Sequence, residues 1–233
     1  DEPFLQYYAL TMSNFKQPFV SALFTASSHH PYVVPEKYKD TFKEEGIIIH
    51  KCIRYTDYAI KRFFETAKKQ PWYNNTIFVL TSDHTNLSDH DYYQTDLGGF
   101  CSPIIFFDPN GEMENGMKDA IAQQIDIMPT LLNYLGYKKP YIAFGKDLIN
   151  TPEKDCWAVN YLNGIYQYVK GNYLLQFDGK QTTAVYDFKN DLLLKKNLKG
   201  KVEEQTAMEK ELKSIIQQYM FRMIHNKLNV TID

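Results

Sequence analysis

The strongest constraint on the fold is a repeated pattern in which a short apolar run, rich in strand formers, stops abruptly at polar residues. The first run is Pro18-Phe19-Val20-Ser21-Ala22-Leu23-Phe24-Thr25, which ends in the polar loop Ser27-Ser28-His29-His30. From about Tyr38 to Lys69, Ile49, Ile53, Thr56, Ile60, Phe63 and Ala67 recur at the spacing of an amphipathic helix, with Lys and Arg between them. Pro71 closes that segment. The second run, Thr76-Ile77-Phe78-Val79-Leu80-Thr81, is followed at once by Ser82-Asp83-His84. Runs without polar alternation suit parallel strands buried on both faces, and strand, helix, strand makes a βαβ unit.

The pattern continues and then changes. Pro103-Ile104-Ile105-Phe106-Phe107 stops at the turn signal Asp108-Pro109-Asn110-Gly111. Asp126 stands where it would N-cap a helix over Ile127 to Leu135, with Pro129 in its first turn and Gly136 past its end. After Pro140, the segments Trp157 to Leu162, Tyr166 to Val169, Tyr173 to Phe177 and Thr182 to Phe188 read as short strands. Asn-Gly, Gly-Asn and Asp-Gly turns separate them into an antiparallel meander. Met208, Leu212, Ile215, Tyr219, Met223 and Ile224 then share a face of a closing helix over roughly Val202 to Lys227. The expected class is α/β, with a mostly parallel central sheet and flanking helices, an antiparallel C-terminal meander and a closing helix. With no repeat and no Gly/Ser linker, the chain divides into an α/β part, 1–145, and an antiparallel subdomain with the terminal helix, 146–233.

Composition narrows the function. Of 233 residues, 44% are hydrophobic and 23% charged, as in a globular domain, which excludes disorder, collagen and coiled coil. Lys plus Arg number 26 against 28 Asp plus Glu, so no basic surplus drives binding to nucleic acid, and no such partner is expected. The apolar runs fall far short of the roughly 20 residues that cross a bilayer. Cys52, Cys101 and Cys156 have no C-x-x-C spacing and indicate neither a thiolate zinc site nor a disulfide framework. The start, Asp1-Glu2-Pro3-Phe4-Leu5, has no signal-peptide character and reads as the middle of something longer.

In an open α/β sheet, ligands gather beyond the carboxyl ends of the strands. Asp83-His84 at the second strand end pairs a carboxylate with an imidazole, ligand types suited to Zn²⁺ or Mn²⁺; the plain alternative is a turn cap beside a solvated histidine. His29 and His30 follow the first strand, where an imidazole can donate to an anionic ester oxygen or bind metal, and one of the two is expected to be structural. His50 and His225 lie in helix patterns and read as structural. Asp89-His90-Asp91 reads as a charged loop. G-x-S-x-G, G-x-x-x-x-G-K-[ST], G-x-G-x-x-G and H-E-x-x-H do not occur, which argues against serine hydrolases, P-loop proteins, dinucleotide enzymes and zincins.

Several stretches together resemble the C-terminal part of the sulfatase and alkaline-phosphatase-like superfamily, in the branch of lipoteichoic acid synthase and its phosphoglycerol-transferase relatives. They are Pro18 to Tyr32, Thr76 to Thr85, Gly99 to Pro109, Gln124 to Gly136 (QIDIMPTLLNYLG), Phe144 to Leu148 (FGKDL) and Val185 to Leu198, in the family's order. The resemblance implies that Asp83 and His84 are metal ligands. It also implies that His29, in the pattern T-x-S-x-H-x-P-[FY] from Thr25 to Tyr32, contacts the transferred group; His30 beside it is expected to take part in substrate binding. Asp126 and the Tyr186-Asp187 pair match family motifs too, but a cap and a turn account for them.

The family's Thr, Ser or formylglycine nucleophile and a further acidic ligand lie on a segment with no counterpart here. The expected function is therefore metal-dependent hydrolysis or transfer of a sulfate or phosphate ester group by the intact protein, this chain alone lacking the nucleophile and being inactive. The expected cofactor is a divalent metal, Mn²⁺ or Zn²⁺ favoured, with Mg²⁺ or Ca²⁺ as alternatives. Expected partners are a sulfated or phosphorylated glycan or phospholipid head group and the missing N-terminal segment. The resemblance also implies an extracytoplasmic protein anchored in a membrane through a segment outside this chain. Two other readings stand beside it. One is a non-catalytic module of the same fold that binds an anionic glycan or a partner protein through its aromatic surface. The other is a two-metal phosphodiesterase drawing on His30, Asp89 and His90.

Overall fold

The computed structural model describes residues 1–230, and these divide into two compact units. The first comprises Asp1–Val79 with Asn86–Asp89 and Ile105–Asn115; the second comprises Leu80–Thr85, His90–Ile104 and the chain from Gly116 onward.

In the first unit, α1 (Glu2–Thr11) packs on α2 (Ile49–Ala67). Leu5 and Ala9 of α1, with Met12 just past its end, meet Ala59, Phe63 and Ala67 of α2 over Trp72 and Tyr73. The alanines on both helices let the backbones approach, and the aromatic rings fill the space beside them. Helix α1 was not anticipated, although its opening Asp1-Glu2-Pro3 carries an acidic first turn and an early proline. Helix α2 begins later than the periodicity suggested. Residues 39–48 form a loop in which Gly46 sits at φ +75°, a left-handed conformation that stops a helix from running through it.

β1 (Phe78–Thr81) and β2 (Ile104–Phe107) form a two-stranded sheet. Pro18 to Thr25, expected as a strand, lies outside any ladder, with Val20 fully exposed and Phe24 73% exposed. Its composition suits a strand, but a strand exists only by hydrogen bonding to a neighbour, and among the described residues none pairs with it.

In the second unit, α3 (Ile127–Tyr134) ends as expected, with Gly136 at φ +68° and the Tyr137 N–H returning to the Leu132 carbonyl. β3 (Trp157–Leu162), β4 (Ile165–Lys170), β5 (Tyr173–Phe177) and β6 (Thr182–Asp187) make the antiparallel meander in sequence order. The alternation of its strands sets two cores. Tyr168, Leu175, Phe177 and Val185 face Met208 and Leu212 of α4 (Gln205–Ile224), whereas Ala158, Val169 and Leu174 meet Leu97 on the other face. The α/β class, the meander and the closing helix are as the sequence implied.

Candidate functional site

β1 delivers Asp83 and His84 just past its carboxyl end, in the second unit. One Asp83 oxygen, Oδ1, accepts the His84 N–H at 2.9 Å, and the other, Oδ2, lies 3.4 Å from His84 Nε2. On the far side of the ring, Nδ1 is 2.7 Å from the Thr85 carbonyl, which can only accept, so that nitrogen carries a proton. Nε2 then faces a carboxylate oxygen, as two donors to one cation would. Two donors bound to a tetrahedral centre at roughly 2.0–2.2 Å stand about 3.3–3.6 Å apart. The hard oxygen, the imidazole nitrogen and their spacing therefore fit two positions of a divalent metal site. Both side chains are about half exposed, at 54% and 55%, leaving room for further ligands. Among the described residues no group of three or more His, Cys, Asp or Glu side chains converges, so the pair supplies two donors and no third.

The loop carrying the pair is held from both ends. Thr85 donates its N–H and its hydroxyl to the Gly99 carbonyl at 3.0 and 2.9 Å. At the other end Gln124 Nε2 donates to the carbonyls of Ser82 and Asp83, each at 3.1 Å. Gln124 was not singled out from the sequence. A glutamine that binds main-chain carbonyls some forty residues away leaves no local pattern.

Asp126 does not cap α3 with its side chain, as the sequence had suggested; its carboxylate instead closes a capping box on the turn before it. Oδ2 accepts the Gln123 N–H at 2.9 Å and Oδ1 the Lys146 N–H at 2.7 Å. Burial pushes its carboxyl above the ordinary aspartate range, and the Lys146 and Gln123 N–H groups pull it part of the way back. Thr130 extends the same joint, its hydroxyl donating to the Asp126 carbonyl at 2.6 Å and accepting the Leu148 N–H at 3.0 Å. The segments QIDIMPT and FGKDL are thus two halves of one structural clasp. Asp187 is likewise a turn residue, accepting from the N–H and side-chain amide of Asn190.

His29 and His30 lie in the first unit, both exposed, with ring centroids 4.1 Å apart. His29 Nδ1 stands 3.0 Å from the His30 carbonyl, which fixes the proton there and leaves Nε2 for a ligand. The Asp1 carboxylate accepts the N–H groups of Ala26 and Ser27, and Ser28 Oγ meets Thr56 Oγ1 of α2 at 3.0 Å, so the loop is tied to both helices. His50, read as structural, bonds the Glu45 carbonyl through Nδ1 and lies 3.6 Å from Asp89. His225 packs against Phe221, the two rings tilted to one another.

Residues 1–137 match the family model described as Sulfatase. The lipoteichoic acid synthase of Staphylococcus aureus is 29% identical over 223 residues, covering 85% of this chain and 34% of the relative. The chain therefore spans about a third of the length of the curated relatives it matches. A protein of the alkaline phosphatase superfamily from Vibrio parahaemolyticus superposes with a TM-score of 0.80 at 24% identity, over 99% of this chain and 56% of that one. A putative sulfatase from Bacteroides fragilis does so with a TM-score of 0.70 at 20% identity, over 93% and 57%.

Proposed function

The chain belongs to the sulfatase family, and from that premise we propose that the protein is a metal-dependent enzyme that hydrolyses or transfers a sulfate or phosphate ester group. The observation that carries this reading is the Asp83–His84 pair, with Oδ2 and Nε2 held 3.4 Å apart at the end of β1. Asp83 and His84 hold a divalent cation, Mn²⁺ or Zn²⁺ by preference. Bound there, the metal would lower the pKa of a hydroxyl nucleophile and offset charge on an ester oxygen. The Thr85 carbonyl keeps the Nδ1 proton of His84 in place, so that Nε2 is the ligating atom. His29, its Nδ1 N–H donating to the His30 carbonyl, presents Nε2 to the transferred group, to which that nitrogen donates when the ring is the imidazolium, and His30, its ring tilted beside it, lines the same loop for substrate.

The nucleophile and a further acidic ligand belong to residues of the protein outside this chain, which by itself turns over no ester. The likeness to lipoteichoic acid synthase supports the phosphoglycerol-transfer branch and, with it, a phospholipid head group as substrate and a site outside the cytoplasm. Among the described residues no helix is long and apolar enough to cross a membrane. A sulfated or phosphorylated glycan is the alternative substrate. The deciding experiment assays the protein with its upstream residues on aryl sulfate, aryl phosphate and a phosphoglycerol lipid, beside Asp83→Ala and His29→Ala. Metal-dependent cleavage of one class, lost in both variants, is the expected result. Turnover that survives Asp83→Ala, or no turnover and no copurifying metal, would remove the catalytic reading.

A further inference from the structure

We infer that Gln124 is the positioning residue of the Asp83–His84 pair, which it orients through the peptide unit that joins the two residues. This rests on the metal-binding reading of the pair given above. The carbonyl of Asp83 and the N–H of His84 are the two ends of one planar peptide group. Gln124 Nε2 holds the carbonyl end at 3.1 Å, and the Asp83 carboxylate accepts from the N–H end at 2.9 Å. The direction of the carboxylate, and with it the 3.4 Å gap between Oδ2 and His84 Nε2, is therefore tied to the plane that Gln124 fixes. The second proton of the same amide reaches the Ser82 carbonyl at 3.1 Å, so rotation about the preceding peptide is restrained as well.

A flexible surface glutamine would position nothing, but the main chain of Gln124 is anchored. Its neighbour Gln123 is buried and docks against β3, its Nε2 donating to the Trp157 carbonyl at 3.2 Å and its Oε1 accepting the Val159 N–H at 3.1 Å. Asp126, two residues on and 1% exposed, joins the Gln123 and Lys146 amides. The antiparallel sheet thus supplies the fixed support from which Gln124 reaches the loop. The side-chain chemistry is specific: two carbonyls demand two donors, which a primary amide has and a carboxylate or thioether does not. Gln124 itself is exposed. Water can satisfy both carbonyls when the amide is removed, so its loss should disturb orientation far more than stability.

The test compares Gln124→Met, of similar length and without donors, and Gln124→Glu, which sets a carboxylate against the two carbonyls. Mn²⁺ binding is followed by electron paramagnetic resonance on the protein with its upstream residues, with Asp83→Ala in parallel. Expected is a loss of affinity of about 10- to 100-fold for Gln124→Met, as when an outer partner of a ligand is removed, with an unchanged melting temperature and a larger loss for Gln124→Glu. In the metal-free protein the His84 amide resonance should shift or broaden in Gln124→Met. Affinity and His84 resonance both unchanged, or a loss that merely follows a fall in melting temperature, would overturn the inference. If Asp83→Ala binds Mn²⁺ as tightly as the parent protein, the metal reading itself fails, and the His84 resonance alone then decides whether Gln124 orients the pair.

Discussion

Gly145 shows how little room the clasp around Asp126 allows. A Cβ at this position would lie 2.0 Å from the Ile125 carbonyl oxygen and 2.7 Å from the Asp126 nitrogen, main-chain atoms that cannot swing aside. Gly145→Ala must therefore push the 144–148 segment off the helix start and stretch the bond from the Lys146 N–H to Asp126. The expected cost is about 1–3 kcal/mol, the range for forcing an extra carbon into a packed site, to be read by urea unfolding; an alanine variant of parental stability would refute the close approach. At this scale the sequence was half legible. Asp83 and His84 announced themselves as polar residues ending an apolar run, a contrast visible locally even though β1 is only half-buried. Asp126 was recognised as structural but assigned the wrong partners, since a cap and a cross-link look alike until the chain from Lys146 is brought back against it. Gln124 gave no sign because its partners are main-chain atoms remote in sequence.

At the scale of elements, α4 and the meander were visible in the sequence because their signals are local: a helical stripe of apolar residues, and Gly-containing turns between short strands. The helix Glu2–Thr11 was missed, its apolar stripe being short and its partner α2 some forty residues away. The Pro18 to Thr25 run was read as a strand because apolar composition records affinity for a sheet and not the presence of a neighbour. Leu212, fully buried under the meander, anchors α4. Leu212→Ala should cost about 2–5 kcal/mol, measured by chemical denaturation, and a loss below that range would mean that α4 is not part of the cooperative unit.

Beside Leu212 a polar network ties the same helix to β4. The Tyr168 hydroxyl donates to Glu211 at 2.7 Å, and Lys170 Nζ reaches both carboxylate oxygens at 2.8 Å. Burial pushes the Glu211 carboxyl up, but Lys170 and Tyr168 outweigh it and hold the group below the usual glutamate range. A depressed folded value means that the ionised carboxylate stabilises the fold above the unfolded value near about 4.3. That contribution fades as pH falls through the lower folded value. The stability difference between the parent protein and Glu211→Gln should accordingly be present at neutral pH and shrink below about pH 4. A difference constant down to strong acid would show that the charge plays no part.

For the whole molecule, the sequence conveyed family and class more completely than it conveyed the sheet. The family model matches residues 1–137, from α1 to just past α3, whereas among the described residues the first sheet consists of β1 and β2. The proposed function gives its residues separate duties: cation binding rests on Asp83 and His84, contact with the transferred group on His29. The two duties are separable by experiment in the protein with its upstream residues. Asp83→Ala should abolish both metal binding and turnover, because the pair contributes only two donors and loses the charged one. His29→Ala should leave metal content unchanged while lowering kcat on the order of 10²- to 10³-fold, the loss typical of a donor aimed at developing negative charge. Metal analysis on the same preparations used for kinetics makes the comparison direct. If His29→Ala also loses its metal, the histidine is a ligand and the division of labour is wrong. If it keeps full activity, the loop from Ala26 to Tyr32 serves the fold alone.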